Sequence, residues 1–355
     1  MKNFHIVKRA SLPWQKSVAV RAIAIISALI FSGIILVLLT GENPINIYLS
    51  MLDGAFGSAH RIWVLLQGIA ILLCISLAVT PAFKMRFWNC GAEGQALVGG
   101  LATAAIMFFL GGKMPTPVLL IVMLIASILA SIIWAVIPAV FKAIWNTNET
   151  LFTLMMNYIA IQLVSFFLKT VVKSGSGVLE SMGEYGLPRI ADKEYLLNII
   201  IVAVITVIVY IYLKKTKQGY EIAVVGESEN TARYVGINVK KVIIRTLIVS
   251  GAICGIAGYL LVAGTSHTIS ENTVGGQGFT AIMVSWLAKF NPLYMVLTTF
   301  LIVFLDKGAG QLVSDFGISD AISDIMTGII LLFIIGCEFF LQYKLVKTNT
   351  GKENV

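Results

Sequence analysis

Long apolar runs alternate with short polar stretches along this chain. Runs dominated by apolar residues recur near 18–39, 61–80, 91–110, 116–140, 150–168, 195–213, 242–263, 274–289, 292–305 and 321–341. Crossing roughly 30 Å of hydrocarbon takes about 20 such residues as a helix, and backbone groups there must be satisfied internally. The pattern therefore predicts an all-α polytopic membrane protein with about ten transmembrane helices. Two runs are weak. As a helix, Pro292 to Leu305 reaches only about 21 Å, and Val274 to Lys289 opens on the flexible "VGGQG", so at least one is expected to be a half-helix or re-entrant segment. The expected division is an N-terminal segment at 1–17, a transmembrane domain at 18–341 interrupted by a polar loop at 214–241, and a tail at 342–355.

Composition strengthens that picture. Apolar residues make up 58% and charged residues 12%, which nearly excludes a soluble fold. The first apolar run, Ala22 to Leu39, is too long for a signal-peptide core and no cleavage pattern comes after it, so it is expected to remain as a span. Cys74, Cys90, Cys254 and Cys337 lie in or beside apolar runs with no CxxC pairing and are expected to be buried thiols; His5, His60 and His267 are too scattered to suggest a metal site.

With ten crossings, 19 lysines and arginines fall on segments assigned to the cytoplasm and 7 on the outside, together all 26. That bias has the sign of the positive-inside rule and places both termini and the 214–241 loop in the cytoplasm of a cell membrane. The net charge of +8 then reads as orientation and contact with anionic lipid, not as a nucleic-acid surface.

Three stretches carry candidate chemistry. In "NCGAEGQALVGG", Glu93 is the one acidic residue expected within or at the mouth of a span, with Asn89 and Gln95 beside it. An ionisable group there tends to face a wet cavity; alternatively, it braces a helix start, where a carboxylate gains about 0.3 to 1 kcal/mol. In "NETLFTLMMNYIA", Asn157 either lines a path or hydrogen-bonds between helices at about 0.6 kcal/mol. In "NTVGGQGFTAIMV", Gln277 and Phe279 belong to a Gly-Gln step resembling that of the first stretch. By the charge count these two Gly-rich stretches lie on opposite membrane faces, as an inverted repeat of spans 2–5 and 7–10 would require.

The polar loop has its own signature. Ser228 is a good N-cap, Glu229 to Val235 supply about two turns, and Gly236 is a ready left-handed terminator. Two turns are marginal in water, so the helix must pack on something, with Thr231, Ala232, Tyr234 and Val235 as a docking face; the other reading is a plain surface loop.

"WNCGAEGQALVGG", "NETLFTLMMNYIA", "GYEIAVVGESENTARYVGINVKKV", "LIVSGAICGIAGYLL" and "GGQGFTAIMVSWLAKFNP" succeed one another in the order of ABC importer permeases for nucleosides, and from Glu42 to Gly310 the chain resembles that branch of the branched-chain amino acid and simple-sugar permease family. The resemblance implies a fold of the vitamin B12 importer kind (type II ABC importer). It implies three partners: an ABC ATPase, a second homologous permease, expected as a heterodimer, and an extracytoplasmic substrate-binding lipoprotein. It also implies that the short helix couples to the ATPase through Gly226, Glu227, Ser228, Glu229, Asn230, Ala232, Arg233, Tyr234, Gly236 and Ile237. Departures fall at Trp88 to Gln95, where relatives read Phe-Asn-Ile-Gly-Ala-Glu-Gly-Gln, and at Ser285 to Ala288, where they read Ala-Leu-Leu-Gly. These bear on the solute more than on the fold.

No G-x-x-x-x-G-K-[ST] occurs, so this chain is expected to bind no cofactor and to borrow ATP and Mg2+ chemistry from its partner. The expected path runs by Asn89, Glu93, Gln95, Asn157, Gln277 and Phe279. Its few fixed charges suit a small neutral polar solute, and Trp88, Phe279 and Trp286 are placed to stack on a base. A sugar or branched-chain amino acid permease is the alternative within the class; a self-sufficient secondary transporter or channel is the alternative outside it. An intramembrane enzyme fits poorly, because the spans hold no paired carboxylates and no Ser/His pair.

Overall fold

The computed structural model describes residues 4–8, 13–190, 193–317 and, with gaps, 319–347. Its helices are α1 (Trp14–Thr40), α2 (Pro44–Phe56), α3 (Ala59–Lys84), α4 (Ala92–Leu110), α5 (Thr116–Trp145), α6 (Glu149–Phe166), α7 (Leu196–Lys215), α8 (Lys217–Glu227), α9 (Glu229–Tyr234), α10 (Val239–Leu261), α11 (Gln277–Leu287) and α12 (Pro292–Phe316). Single π-helical turns extend α6 through Val172 and α10 through Ser266. Two short strands, β1 (Phe4–Lys8) and β2 (Tyr343–Lys347), pair antiparallel with Phe4 opposite Lys347 and Lys8 opposite Tyr343. Among the described residues seven helices are long and apolar enough to cross a membrane, α3 to α7, α10 and α12, and shorter apolar stretches lie at Ile26–Leu38 and Gly328–Cys337. Ten of the 21 positions of the expected last crossing, 321–341, lie outside the described residues.

The chain divides into two compact units, Trp63–Val303 and a second built from Met1–Ile62 with Phe304–Val355. In the larger unit α4, α5 and α10 pack at its centre. Lipid tails are as apolar as these side chains, so association depends on close packing and interhelical hydrogen bonds. Both are present. A Cβ on Gly258 of α10 would sit 2.2 Å from the Ala96 carbonyl oxygen and 2.6 Å from the Gly100 nitrogen of α4, so only glycine permits this approach. Ser127 of α5 donates to the Gly255 carbonyl of α10 at 2.7 Å, and Ser131 donates to the Gln95 carbonyl of α4 at 2.6 Å.

Corners between spans are closed by local chemistry. α5 stops at Asn146, which adopts the left-handed conformation (φ 52°), and α6 starts at Asn148, whose side chain accepts from the Leu151 amide at 3.1 Å. Lys142 and Glu149 pair across the corner at 2.9 Å. In the smaller unit Tyr48 of α2 donates to the Leu29 carbonyl of α1, and Ser50 of α2 donates to the Asp315 carboxylate of α12.

Two weak runs resolve differently from one another. α12 is not short: it continues through Asp306 and Lys307 to Phe316, 25 residues or about 37 Å. The charges there do not end the helix: both side chains lie at its exposed surface, at 64% and 40% exposure, and pair with each other at 3.4 Å. α11 is the short one, 11 residues or about 16 Å. α2 and α8 appear where the hydropathy pattern showed only linkers. Their caps were legible: Asn43 before Pro44, accepting from Ile45 at 2.9 Å, and Thr216 before Lys217, accepting from Gly219 at 3.1 Å.

Candidate functional site

Leaving α3, the chain turns at Arg86, which is left-handed (φ 62°), and enters α4 through Asn89, Cys90 and Gly91. The N-cap position, Gly91, has no side chain to satisfy the first amides of α4, so partners must supply acceptors. Asn89 does this from within the turn. Its Oδ1 accepts from the Gly91 amide at 3.1 Å and from Gln95 Nε2 at 3.1 Å, while its Nδ2 donates to Ser250 of α10 at 3.2 Å. Asn157 does it from α6, accepting from the Gly94 amide at 2.9 Å and donating to the Cys90 carbonyl at 2.9 Å. Thr153, one turn earlier, accepts from the Cys90 amide at 3.2 Å. Cys90 lies outside the spans, and burial, helped by the Glu149 carboxylate, pushes its thiol pKa up, so it stays a thiol.

Glu93 faces the other way. Its two oxygens accept from the Gly276 amide at 2.8 Å and the Gly278 amide at 2.6 Å, the orphan donors at the start of α11. Gly278 is required here, since a Cβ would lie 2.4 Å from the Glu93 nitrogen. α4 thus begins between α6, α10 and α11, tied to each by side chains buried at Asn89, Glu93, Gln95 and Asn157.

Four of the six expected path residues are therefore one cluster, joined by Gln277, half-buried beside the Glu93 contact with its Oε1 unpaired; the Oε1 of Gln95 is unpaired too. Phe279 stands apart at 45% exposure. On the same side of α11 Met283 and Trp286 are exposed; Trp286 packs on Trp88 (ring centroids 5.6 Å apart) and against Phe83 and Phe290. The side chains that sequence reasoning missed are Ser250 and Thr153, small hydroxyls inside apolar runs whose only signal was their polarity.

One expectation is overturned. The "NCGAEGQ" and "VGGQG" stretches do not lie on opposite faces, because Glu93 bonds directly to Gly276 and Gly278. Charge counting assigns loops to sides but says nothing of depth. From His267 the chain is largely non-helical as far as Gly276, turning between Ser270 and Thr273 and again between Val274 and Gln277, with Ile269 and Val274 fully buried. Irregular backbone is tolerated at depth when protein covers it.

The polar loop folds as its cap and terminator predicted. Ser228 accepts from the Thr231 amide at 3.2 Å; Gly236 (φ 81°) and Ile237 donate to the Arg233 and Ala232 carbonyls at 3.1 and 2.9 Å, a Schellman ending. Ala232, expected on the docking face, is instead fully buried within the chain, and Gly226 is buried with its Cα against the Lys84 carbonyl of α3. Glu227, Glu229, Asn230, Arg233, Tyr234 and Gly236 are exposed, Ser228 partly; Tyr234 reaches 92% and Arg233 pairs with Glu229 at 3.1 Å.

Residues 61–335 match the family model described as the branched-chain amino acid transport system / permease component. Similar proteins include the guanosine ABC transporter permease protein NupP of Bacillus subtilis, 30% identical over 85% of this chain and 89% of its own. The nucleoside ABC transporter permease protein NupB of Lactococcus lactis is 28% identical over 95% of both chains. The glucose ABC transporter permease protein TsgB13 of Haloferax volcanii is 26% identical over 95% of this chain and 92% of its own. Among solved structures, an inward-facing ABC transporter of the metal-chelate type aligns over 91% of this chain and 99% of that one at 13% identity and a TM-score of 0.45, a distance at which the likeness decides nothing about the fold. With most of its length matched and its apolar helices in place, the chain belongs to the branched-chain amino acid transport system permease family and is a multi-pass ABC transporter permease.

Proposed function

We infer that this permease is the translocation subunit of an ATP-driven importer, and that its solute is a small neutral polar molecule, nucleosides before sugars or branched-chain amino acids. The observation that carries the solute class is the cluster at the start of α4. Asn89, Gln95 and Asn157 make the junction of four helices polar but uncharged, with the amides of Asn89 and Asn157 engaged at the start of α4, and the one carboxylate there, Glu93, has both oxygens bound by backbone amides, so little free charge is offered. The relatives named for guanosine and nucleosides favour a nucleoside. The glucose-named relative supports a sugar as the second reading. The half-exposed Phe279 and Trp286 on α11 are suited to stacking on a base.

ATP and Mg2+ belong to a separate ATPase, since this sequence has no phosphate-cradling loop of the G-x-x-x-x-G-K-[ST] type. α9 docks on that ATPase through Arg233 and Tyr234, and motion there passes into α10 and α8. The remaining partners are a second homologous permease and an extracytoplasmic substrate-binding lipoprotein. Both termini face the cytoplasm: the β1–β2 ladder supports their lying on one side, and the 19-to-7 charge bias says which.

The test is ATPase activity of the reconstituted complex, stimulated by nucleosides, glucose or leucine through the binding protein. Stimulation by nucleosides alone is expected. Arg233→Glu and Tyr234→Ala should each lower that stimulation at least 5-fold with basal hydrolysis retained; unchanged coupling in both would remove α9 from the ATPase interface.

A further inference from the structure

We propose that Glu93 is a positioning residue for the transport step: its carboxylate holds the short helix α11 against α4, and passage of solute requires that hold to be released and remade in each cycle. The proposal rests on the transport reading above and is indifferent to which solute is carried.

Three observations carry it. First, the contact is a single group on two donors of one helix start, Gly276 and Gly278, so losing one carboxylate removes both of these hydrogen bonds at once. Second, the residues just before that end form a hinge. Gly275 and Gly276 are both left-handed (φ 63° and 79°) and exposed, a two-glycine turn whose backbone dihedrals are freer than those of residues bearing a side chain. Third, the far end of α11 is anchored: Ser285 shares a hydrogen bond with Thr80 of α3 at 2.8 Å, and Trp286 packs on Trp88. A helix of 11 residues fixed at one end, hinged at the other and held closed by one side chain is built to pivot. Gln277 adds a reason for release. It sits between the two bonded amides with Oε1 buried and unpaired, an arrangement that gains a hydrogen bond if α11 opens towards water or solute.

The alternative is that Glu93 is a static brace, and the experiment separates the two. In the assembled transporter, with Cys90→Ser as background, Val274→Cys places a thiol at a site now 1% exposed, immediately before the hinge. Its rate of labelling by a small maleimide is compared between nucleotide-free and vanadate-trapped complexes. A change of at least 5-fold between the two states is expected with Glu93 intact. Glu93→Gln, which replaces one acceptor oxygen by an NH2 facing an amide donor, should label fast in both states. Gly276→Ala, which stiffens the hinge, should label slowly in both. Equal labelling in the two states with Glu93 intact makes the residue a static brace and overturns the proposal; so does a state difference that survives Glu93→Gln. Failure of the transport reading would appear separately, as absent solute-stimulated ATPase in the wild-type complex, whereas failure of the proposal alone leaves that stimulation intact.

Discussion

The start of α4 and the short helix α9 are both helix starts, and they are stabilised in opposite ways. At α9 the cap is Ser228 and the terminator Gly236, six residues of helix closed by its own sequence, with Tyr234 almost entirely in water. At α4 the N-cap position, Gly91, offers no side chain, and the orphan amides are satisfied by Asn89 and by Asn157 from α6, with Ser250 of α10 holding Asn89 in place. Where water can replace a lost acceptor, local capping suffices and the surface stays free for another protein. Inside the helix bundle no water substitutes, so each donor demands a partner from elsewhere in the chain.

That contrast can be attacked at both ends. The largest effect is expected from Gly278→Val, which drives side-chain atoms into the Glu93 backbone, 2.4 Å from where its Cβ would lie. Overpacking of this kind costs about 1–3 kcal/mol or more, and the yield of monodisperse protein in detergent should collapse. Normal yield would mean that α11 is not held where it is described. Asn157→Ala comes next. It strands the Gly94 amide and the Cys90 carbonyl in a buried site, a loss of about 1–3 kcal/mol that should lower the midpoint of thermal unfolding; an unshifted midpoint would mean that water reaches the turn.

Smaller effects belong to the exposed region. Ser228→Ala removes a cap worth about 1 kcal/mol to α9 alone, so hydrogen exchange should speed in residues 229–234 while the global unfolding midpoint holds. A global shift would show that α9 is integral to the core. Breaking the Arg233–Glu229 pair, both partners more than a third exposed, should leave stability unchanged by calorimetry. A third helix end gives a pH test between these extremes. His267, left-handed at the end of the α10 π-turn, has its pKa lowered chiefly by burial, offset by Glu194 and lowered further by Arg189. The folded state therefore binds its proton less well than the unfolded chain. Its contribution is present above about pH 6.5 and is lost as pH falls through the lowered folded value. Unfolding midpoints tracked from pH 8 to 5 should drop less in His267→Asn, which tolerates the left-handed backbone, than in wild type.

How much was legible in the sequence obeys the same division. Apolar length located α3 to α7 and α10, because helix formation is forced wherever backbone is cut off from water. Cap and terminator residues located α9 to within a residue, since those interactions lie within a few positions of one another. Asn89, Glu93, Gln95 and Asn157 were singled out as polar groups in an apolar setting, but their partners were not. Glu93 and Gly276 are 183 positions apart, and nothing local connects them. Ala232 was misjudged because a short side chain on a short helix shows no preference for inside or outside until the neighbouring α8 and α10 are in place.

By itself, then, the sequence determined those features that solvent and nearest neighbours impose: a helical membrane protein, most of its apolar helices, and a capped helix in the polar loop. Only the tertiary structure decided depth and pairing. It brought "VGGQG" against Glu93, and it turned the beginning of α4 into a junction of four helices. The physical reason is that hydropathy and charge measure how a residue meets its medium, whereas a buried hydrogen bond is fixed by which distant segment the fold brings within about 3 Å.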